Sequence, residues 1–509
     1  MTGARSWKRT AVEVAVVAAV SIAAYAASLQ GYFLSDDFHV VTLLNAERTG
    51  VNWPNALSDF TTVYRGDPTH SYYRPMITLS AAVDYTLWGP NAFGGHLTNL
   101  VLNTVNGLLV YGIAAALPAT AAGGFAAAAG LLFALHPLHP EAVYWLVGRT
   151  ELIVACFGLL SLLFFLVFLD RRRPAWWLLS FSAFLLALGS KETAVVLPVA
   201  LTLALLCFRS TAPERPPVRP VATLAPYYLM LGGYFILRKA ITGHVFGQYG
   251  TMGIEPFAPA SIPRGIVNLI AYQLRPSGAP AADALAGQMA RRLIDPLMWI
   301  LVLAIVGLVV VSRLDRRAWF SLSLMPVFAF PLLSLIASKH LPIEAARVYY
   351  LPSVAFCLFL AALVAGGRSP ISRLLGVTLL AAFAGLLAVN SLPWVQAARI
   401  NRQILGEIER AASKPGVQRV LVIGNPDFHF GAELFGMKSW AVEVAAARPF
   451  VTIPTGVRIV NLPETPCAPL QAELLGAGGG TAALRWDPRQ GTIAEVDAER
   501  IRDICRHPS

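Results

Sequence analysis

Leu152-Ile-Val-Ala-Cys-Phe-Gly-Leu-Leu-Ser-Leu-Leu-Phe-Phe-Leu-Val-Phe-Leu169 runs without a charge and is followed at once by Asp170-Arg171-Arg172-Arg173. An apolar stretch of about 17–25 residues is what a helix needs to cross a bilayer core, and a basic cluster at its end marks a cytoplasmic connection. Comparable apolar runs lie at 11–29, 95–116, 120–136, 175–189, 193–208, 221–237, 296–312, 318–337, 349–365 and 373–390. The expected fold is an all-α polytopic membrane protein with about eleven transmembrane helices. The short runs at 175–189 and 193–208 also read as one re-entrant pair. Composition agrees: of 509 residues, 56% are hydrophobic and only 14% charged, where soluble domains carry about 25% charged residues. Mean hydropathy is +0.58. So apolar a chain is not disordered, and 5 cysteines in this length do not make a disulfide scaffold.

The formal charge is +11, which on a soluble protein would suggest nucleic acid. Here nearly all of the excess sits on Arg5, Lys8, Arg9 and the basic connections at 170–173, 209–219, 313–317 and 368–373. These fall on alternate connections, so the positive-inside rule places them and the N-terminus in the cytoplasm. No nucleic-acid partner is expected. The loops at 31–94, 137–151, 190–192, 238–295 and 338–348 are then external. Beyond Asn390 the composition becomes that of a soluble domain. Gln418–Gly424 and Val457–Leu462 read as strands and Ala432–Ala447 as a helix. The expected division is a membrane domain at 1–390, with external loops 31–94 and 238–295, and a small external α/β domain at 391–509. Cys156, Cys207 and Cys357 lie in apolar runs as core fillers. An oxidising compartment would allow Cys467 and Cys505 to pair.

Five stretches place polar groups where hydrocarbon would not tolerate them without a role. Leu34-Ser35-Asp36-Asp37-Phe38-His39 sets two carboxylates beside the first span, suited to a general base, to a base plus metal ligand, or to a helix cap. Ser71-Tyr-Tyr-Arg74-Pro75 offers an arginine for a phosphate or a carboxylate, or an interfacial anchor. His136-Pro-Leu-His139-Pro-Glu141 continues to Gly148-Arg149-Thr-Glu151. Its two prolines keep the side chains off one helical face, unlike HExxH, and favour a kinked turn lining a cavity. Ser190-Lys191-Glu192-Thr193 lies between two apolar runs. The fifth stretch, Ser338-Lys-His340 and Glu344 to Ser353, opens a span with Arg347, placed to grip a lipid-linked phosphate or to snorkel. All five fall on the external face of a topology drawn only from basic connections, which points to one shared external site.

The order of these motifs resembles the GT-C superfamily of polytopic glycosyltransferases. Over residues 10–365 it is most similar to the membrane part of the transmembrane and tetratricopeptide-repeat O-mannosyltransferases and their bacterial relatives. The resemblance rests on Phe33-Leu-Ser-Asp-Asp37, Tyr73-Arg-Pro-Met-Ile-Thr-Leu79, His96-Leu-Thr-Asn-Leu100, His136-Pro-Leu-His-Pro-Glu-Ala142, Val147-Gly-Arg-Thr-Glu-Leu152, Ser190-Lys-Glu-Thr193 and Arg347-Val-Tyr-Tyr-Leu-Pro-Ser353. It implies a sugar donor linked to polyprenyl phosphate and inverting transfer on the outer face. It makes Asp36 or Asp37 the base that deprotonates an acceptor hydroxyl. Arg347, then Lys191, Arg74 and Arg149, would bind the donor phosphate and stabilise its growing charge. His139 and Glu141, with His39, are candidates to orient the acceptor or hold a divalent metal ion. No tetratricopeptide repeats follow the spans, so a protein acceptor is not implied and a lipid or glycan stands beside it. Two rivals share the membrane setting: an oligosaccharide ligase using polyprenyl-linked glycan, and a transporter of lipid-linked sugar. A transporter would be expected to show repeat symmetry and broken helices at the midplane; the sequence shows no symmetry, and its polar groups cluster at external loop edges rather than mid-span.

Overall fold

The computed structural model describes residues 7–46, 50–66, 72–117, 124–208, 218–245, 263–265, 268–269, 285–333, 343–367, 370–430, 432–462, 480–488 and 490–496. Ser71, Ser338–His340, Cys467, Cys505 and most of the loop at 238–295 lie outside them.

Every apolar run picked out above holds a helix. Six are long and apolar enough to cross a membrane by length and composition: Trp7–Gln30, Ala92–Ala116, Leu146–Arg171, Pro220–Thr242, Ala346–Gly366 and Pro370–Ala412. Phe125–Ala134, Pro174–Leu188, Glu192–Phe208 and Trp299–Val311 are shorter apolar helices, and Arg316–Ala329 occupies the run at 318–337. The molecule is a largely helical, polytopic membrane protein, as expected. Pro75, Pro140, Pro174 and Pro220 open their helices, where a residue without an N–H leaves nothing unsatisfied. Arg171 ends its helix because Arg172 turns left-handed, with φ 57°.

The Arg149–Arg171 helix packs along Pro174–Leu188 and Ala92–Ala116, and Tyr350–Gly366 packs on Arg316–Ala329. The apolar window of Ala346–Gly366 is 83% buried, against 22% in Trp7–Gln30 and in Pro220–Thr242. Ala346–Gly366 is therefore the central helix, and the other two lie at the periphery of the described bundle. One set of polar groups inside the bundle is linked by hydrogen bonds, as hydrocarbon favours. Tyr350 Oη donates to Asn103 Oδ1 at 2.9 Å and accepts from Asn106 Nδ2 at 3.1 Å, while Asn103 Nδ2 reaches Ser21 Oγ. This seam ties the first helix, Ala92–Ala116 and the central helix together.

Pro370–Ala412 is continuous over 43 residues, about 64 Å at 1.5 Å per residue and roughly twice the bilayer core. The composition change at residue 390 falls in the middle of it. Its second half carries the C-terminal sheet, ordered Arg458–Leu462, Arg419–Ile423, Thr481–Asp487, Thr492–Glu495. The first three strands are parallel and the last is antiparallel, so both strands expected from sequence are present. The helix expected over 432–447 is not. Ala432–Glu433 instead pairs with Phe428–His429 as a short hairpin. Only Val442–Ala445 is α-helical, because Gly436, Lys438 and Ser439 all take positive φ, which a helix of L-residues excludes.

Candidate active site

Asp36 and Asp37 open the first-loop helix Asp36–Leu44, where carboxylates suit the positive end of the helix dipole. The structure gives them different surroundings. Asp37 is buried. Its Oδ2 accepts from the Leu34 N–H at 2.9 Å and its Oδ1 from the Val147 N–H at 3.0 Å. It thereby fastens the first loop to the Val147–Glu151 motif. Burial pushes its carboxyl up to about 7, while the two N–H groups pull the other way. Asp36 is 39% exposed and faces the Arg65 guanidinium at 3.7 Å. Gly148 makes the loop junction possible, since a Cβ there would lie 2.7 Å from the Glu141 carbonyl oxygen.

Each of the four candidate phosphate-binding cations is held by a carboxylate. Glu141 Oε2 accepts from the Arg347 N–H at 2.9 Å, and its Oε1 pairs with the Arg347 guanidinium, which lies 4.5 Å over the Trp145 ring. Burial raises the Glu141 carboxyl to about 7 against the pull of Arg347. Arg74 grips Glu192 through two hydrogen bonds and covers the Tyr72 ring at 4.1 Å. Lys191 pairs with Glu151, both buried. Arg149 meets Asp84 at 2.6 Å and donates to the Leu146 and Gly95 carbonyls. Among the four, side-chain exposure is 31% for Arg347, 12% for Arg74, 6% for Lys191 and 5% for Arg149. Arg347 is therefore the cation most open to an incoming anion.

The buried Lys191–Glu151 pair makes a stability prediction. Lys191→Met strands a carboxylate and is expected to cost about 3–5 kcal/mol, whereas Lys191→Met with Glu151→Leu should recover most of that. Unfolding midpoints of the three proteins in lipid nanodiscs test this; equal losses in the single and double variants would refute it.

The three acceptor or metal candidates do not converge. Glu141 is on Arg347, His139 is buried with Nε2 2.8 Å from Ser353 Oγ, and His39 lies edge-on to Trp440 at 6.1 Å. Among the described residues, no three His, Cys, Asp or Glu side chains gather as a metal site.

Three site residues escaped the sequence reading. Arg65 is held at φ 60° while its N–H donates to both oxygens of Asp59 at 3.0 and 3.1 Å. Its Nε and Nη2 are buried without a hydrogen-bond partner among the described residues. Arg238, also buried, adds positive charge at Glu192 and at Tyr234. Glu433, from the C-terminal hairpin, lies near the Ser35 side chain and feels the charges of Arg347 and Asp36. Arg65 and Glu433 stand in polar stretches without a motif, and Arg238 at the end of an apolar run reads as an interfacial anchor. A largely apolar cavity of about 70 Å³, lined by Val40, Leu44, Ile77 and Leu146, adjoins Arg65 and Arg149.

Residues 69–229 match the family model of the dolichyl-phosphate-mannose-protein mannosyltransferases. The match takes in Arg74, Glu141, Arg149, Glu151, Lys191 and Glu192, and lies between Asp36 and Arg347 in the chain. The protein O-mannosyl-transferase Tmtc1 of Drosophila melanogaster is 34% identical over 199 residues, covering 37% of this chain and 22% of its own. Mouse protein O-mannosyl-transferase TMTC1 is 35% identical over 163 residues, covering 31% and 16%. The chain thus spans about a fifth of the length of these relatives. The resemblance read from the ordered motifs is borne out by these matches. The crystal structure of ArnT from Cupriavidus metallidurans bound to undecaprenyl phosphate aligns over 99% of this chain and 95% of its own, with a TM-score of 0.41 and 13% identity.

Proposed function

We propose that the chain is a membrane glycosyltransferase that moves a mannosyl-type sugar from polyprenyl phosphate to an acceptor hydroxyl. The observation that supports this reading is a partly exposed carboxylate, Asp36, and a partly exposed cation, Arg347, both from the ordered motifs and both in the field of Glu433. In the proposed step, Asp36 takes the proton of the acceptor hydroxyl. The hydroxyl oxygen bonds to the anomeric carbon as the bond from that carbon to the phosphate oxygen breaks. The electron pair leaves on polyprenyl phosphate, with inversion. Arg347 stabilises the charge that grows on that oxygen. The narrow cavity beside Asp37 has mostly apolar walls. Its Leu146 lies next to Trp145, on which Arg347 rests. The reading carries a topology, with the N-terminus in the cytoplasm and both the site and the segment 391–509 on the outer face.

The full-length protein in nanodiscs, given polyprenyl-phosphate mannose, is expected to release free polyprenyl phosphate. Inertness toward this donor and toward other polyprenyl-phosphate hexoses would overturn the reading. The Glu141–Arg347 pair adds a pH signature. Glu141 gains its proton as the pH falls through about 7, which frees Arg347, while the donor phosphodiester keeps its charge. Donor KM is therefore expected to fall as the pH is lowered through that value. Glu141→Gln should flatten this step; a step that survives in the variant assigns the titration elsewhere.

A further inference from the structure

The motif resemblance ends near residue 365, yet a later segment forms one wall of the site. The Ser35 N–H donates to the Leu434 carbonyl at 2.7 Å. Buried Asn401, on the long last helix, donates through Nδ2 to both the Phe33 carbonyl at 3.1 Å and the Leu434 carbonyl at 2.8 Å. Phe435 stacks on Phe38 at 5.6 Å, and Phe450 meets the edges of Phe33 at 5.2 Å and Phe38 at 4.9 Å. Gly436 makes a close approach that a side chain would forbid: a Cβ there would lie 2.2 Å from Trp440 Nε1 and 3.0 Å from Ser35 Oγ. The loop that presents Asp36 is therefore clamped on one side by residues 433–450.

Two side chains of this wall remain available to a ligand. Glu433 lies near the side chain of Ser35, the residue before Asp36, and in the field of Arg347. Trp440 is 43% exposed and neighbours His39, which follows Asp36 by three residues and so lies on the same helix face. Two carboxylates that accept hydrogen bonds, next to an exposed indole, suit a polyhydroxylated ring. The hydroxyls donate to Asp36 and Glu433, and the C–H face of the ring lies on the indole. An extended peptide would instead seek an open strand edge. Here the hairpin strands have two residues each, and the Leu434 carbonyl is already taken. A lipid acceptor would need an apolar surface, and among the described residues the exposed part of this wall is Lys438, Trp440, Glu443, Ala447 and Arg448, three of the five charged.

We propose that residues 433–450 form the acceptor wall of the site and that it receives a carbohydrate, with Glu433 and Trp440 as its specificity-determining residues. The proposal rests on the glycosyl-transfer reading above. It is tested with the full-length protein in nanodiscs, polyprenyl-phosphate mannose as donor, and three separate acceptors: a panel of neutral oligosaccharides, a Ser/Thr peptide, and a diacylglycerol. Sugar released to water and sugar joined to acceptor are both measured. Oligosaccharides are expected to accept the sugar. Glu433→Gln and Trp440→Ala should each lower the ratio of sugar transferred to sugar released by at least tenfold, through a higher acceptor KM. Trp440→Tyr should restore most of it. Glutamine keeps the shape of glutamate, and Trp440 is exposed, so unchanged unfolding midpoints are the folding control. Transfer only to the peptide or the diacylglycerol, transfer to none of the acceptors, or an unchanged ratio in both variants would overturn the proposal while donor release to water still upheld the reading above. A donor left intact even by water would take both down.

Discussion

Asp36→Asn is expected to lower sugar transfer by about 10²–10⁴-fold, the usual worth of a positioned general base, with little change in unfolding temperature. The reason lies in the different surroundings of the two adjacent carboxylates. Asp36 is 39% exposed and lies 3.7 Å from the buried Arg65, which keeps Asp37 and Asp59 as neighbouring carboxyls, so the loss of one long contact leaves Arg65 in an acidic surrounding. An amide there keeps the shape but cannot take the acceptor proton. Asp37→Asn should behave in the opposite way. Both Asp37 oxygens receive backbone N–H groups, and an amide offers only one oxygen, so one buried N–H would face an NH₂. That loss is expected to cost about 1–3 kcal/mol of stability. It would also loosen the junction between the first loop and Val147, so any fall in rate should track the fall in stability. The pH dependence of stability has a defined sign. The folded Asp37 carboxyl sits near 7, above its unfolded value of about 3.9. The folded state therefore holds more protons between those values, and this group lowers stability as pH rises from about 4 to 7. Asp37→Asn should remove that slope. Full transfer activity in Asp36→Asn would take the residue out of the base role, and a pattern with the two variants exchanged would give that role to Asp37.

The helices were legible because hydrocarbon imposes one rule on long segments: about 20 apolar residues, no unpaired polar group. Each run at 11–29, 152–169 or 349–365 satisfies that rule by itself, without reference to any other part of the chain. The site was legible only as a set of places. Arg74, Arg149, Lys191 and Arg347 stand out as charges in apolar surroundings, but their carboxylate partners are Glu192, Asp84, Glu151 and Glu141. Those pairings depend on helix packing across gaps as long as 206 residues and have no linear signature. The split between Asp36 and Asp37 is of the same kind, since it depends on the direction from which Val147 approaches. The misread segment at 432–447 failed for a local reason. Its apolar spacing suits a helix, but the backbone is bent by Gly436 and two positive-φ residues so that Leu434 can meet Ser35. A tertiary contact overrode the periodicity there.

Arg347→Ala is expected to lower kcat/KM for the lipid-linked donor by about 10²–10³-fold, the scale seen when one preorganised donor to a developing oxyanion is removed. Arg347 also neutralises Glu141, so the single variant mixes two effects. Without the guanidinium, Glu141 is left buried beside apolar groups and is expected to take up a proton, which softens a structural loss that would otherwise reach about 3–5 kcal/mol. Arg347→Ala combined with Glu141→Gln separates the two. If Arg347 acts on the donor phosphate, the double variant should regain stability but not donor use. If the arginine only balances Glu141, the double variant should regain both. Arg347→Lys gives a third reading. Lysine keeps the charge but not the planar fork that holds Glu141, nor the stacking on Trp145 at 4.5 Å. It should therefore keep part of the rate while raising donor KM. Acceptor KM is expected to change little in all three, because the acceptor wall is carried by Glu433 and Trp440. A loss shared equally between donor and acceptor would instead assign Arg347 a structural role at the start of its helix.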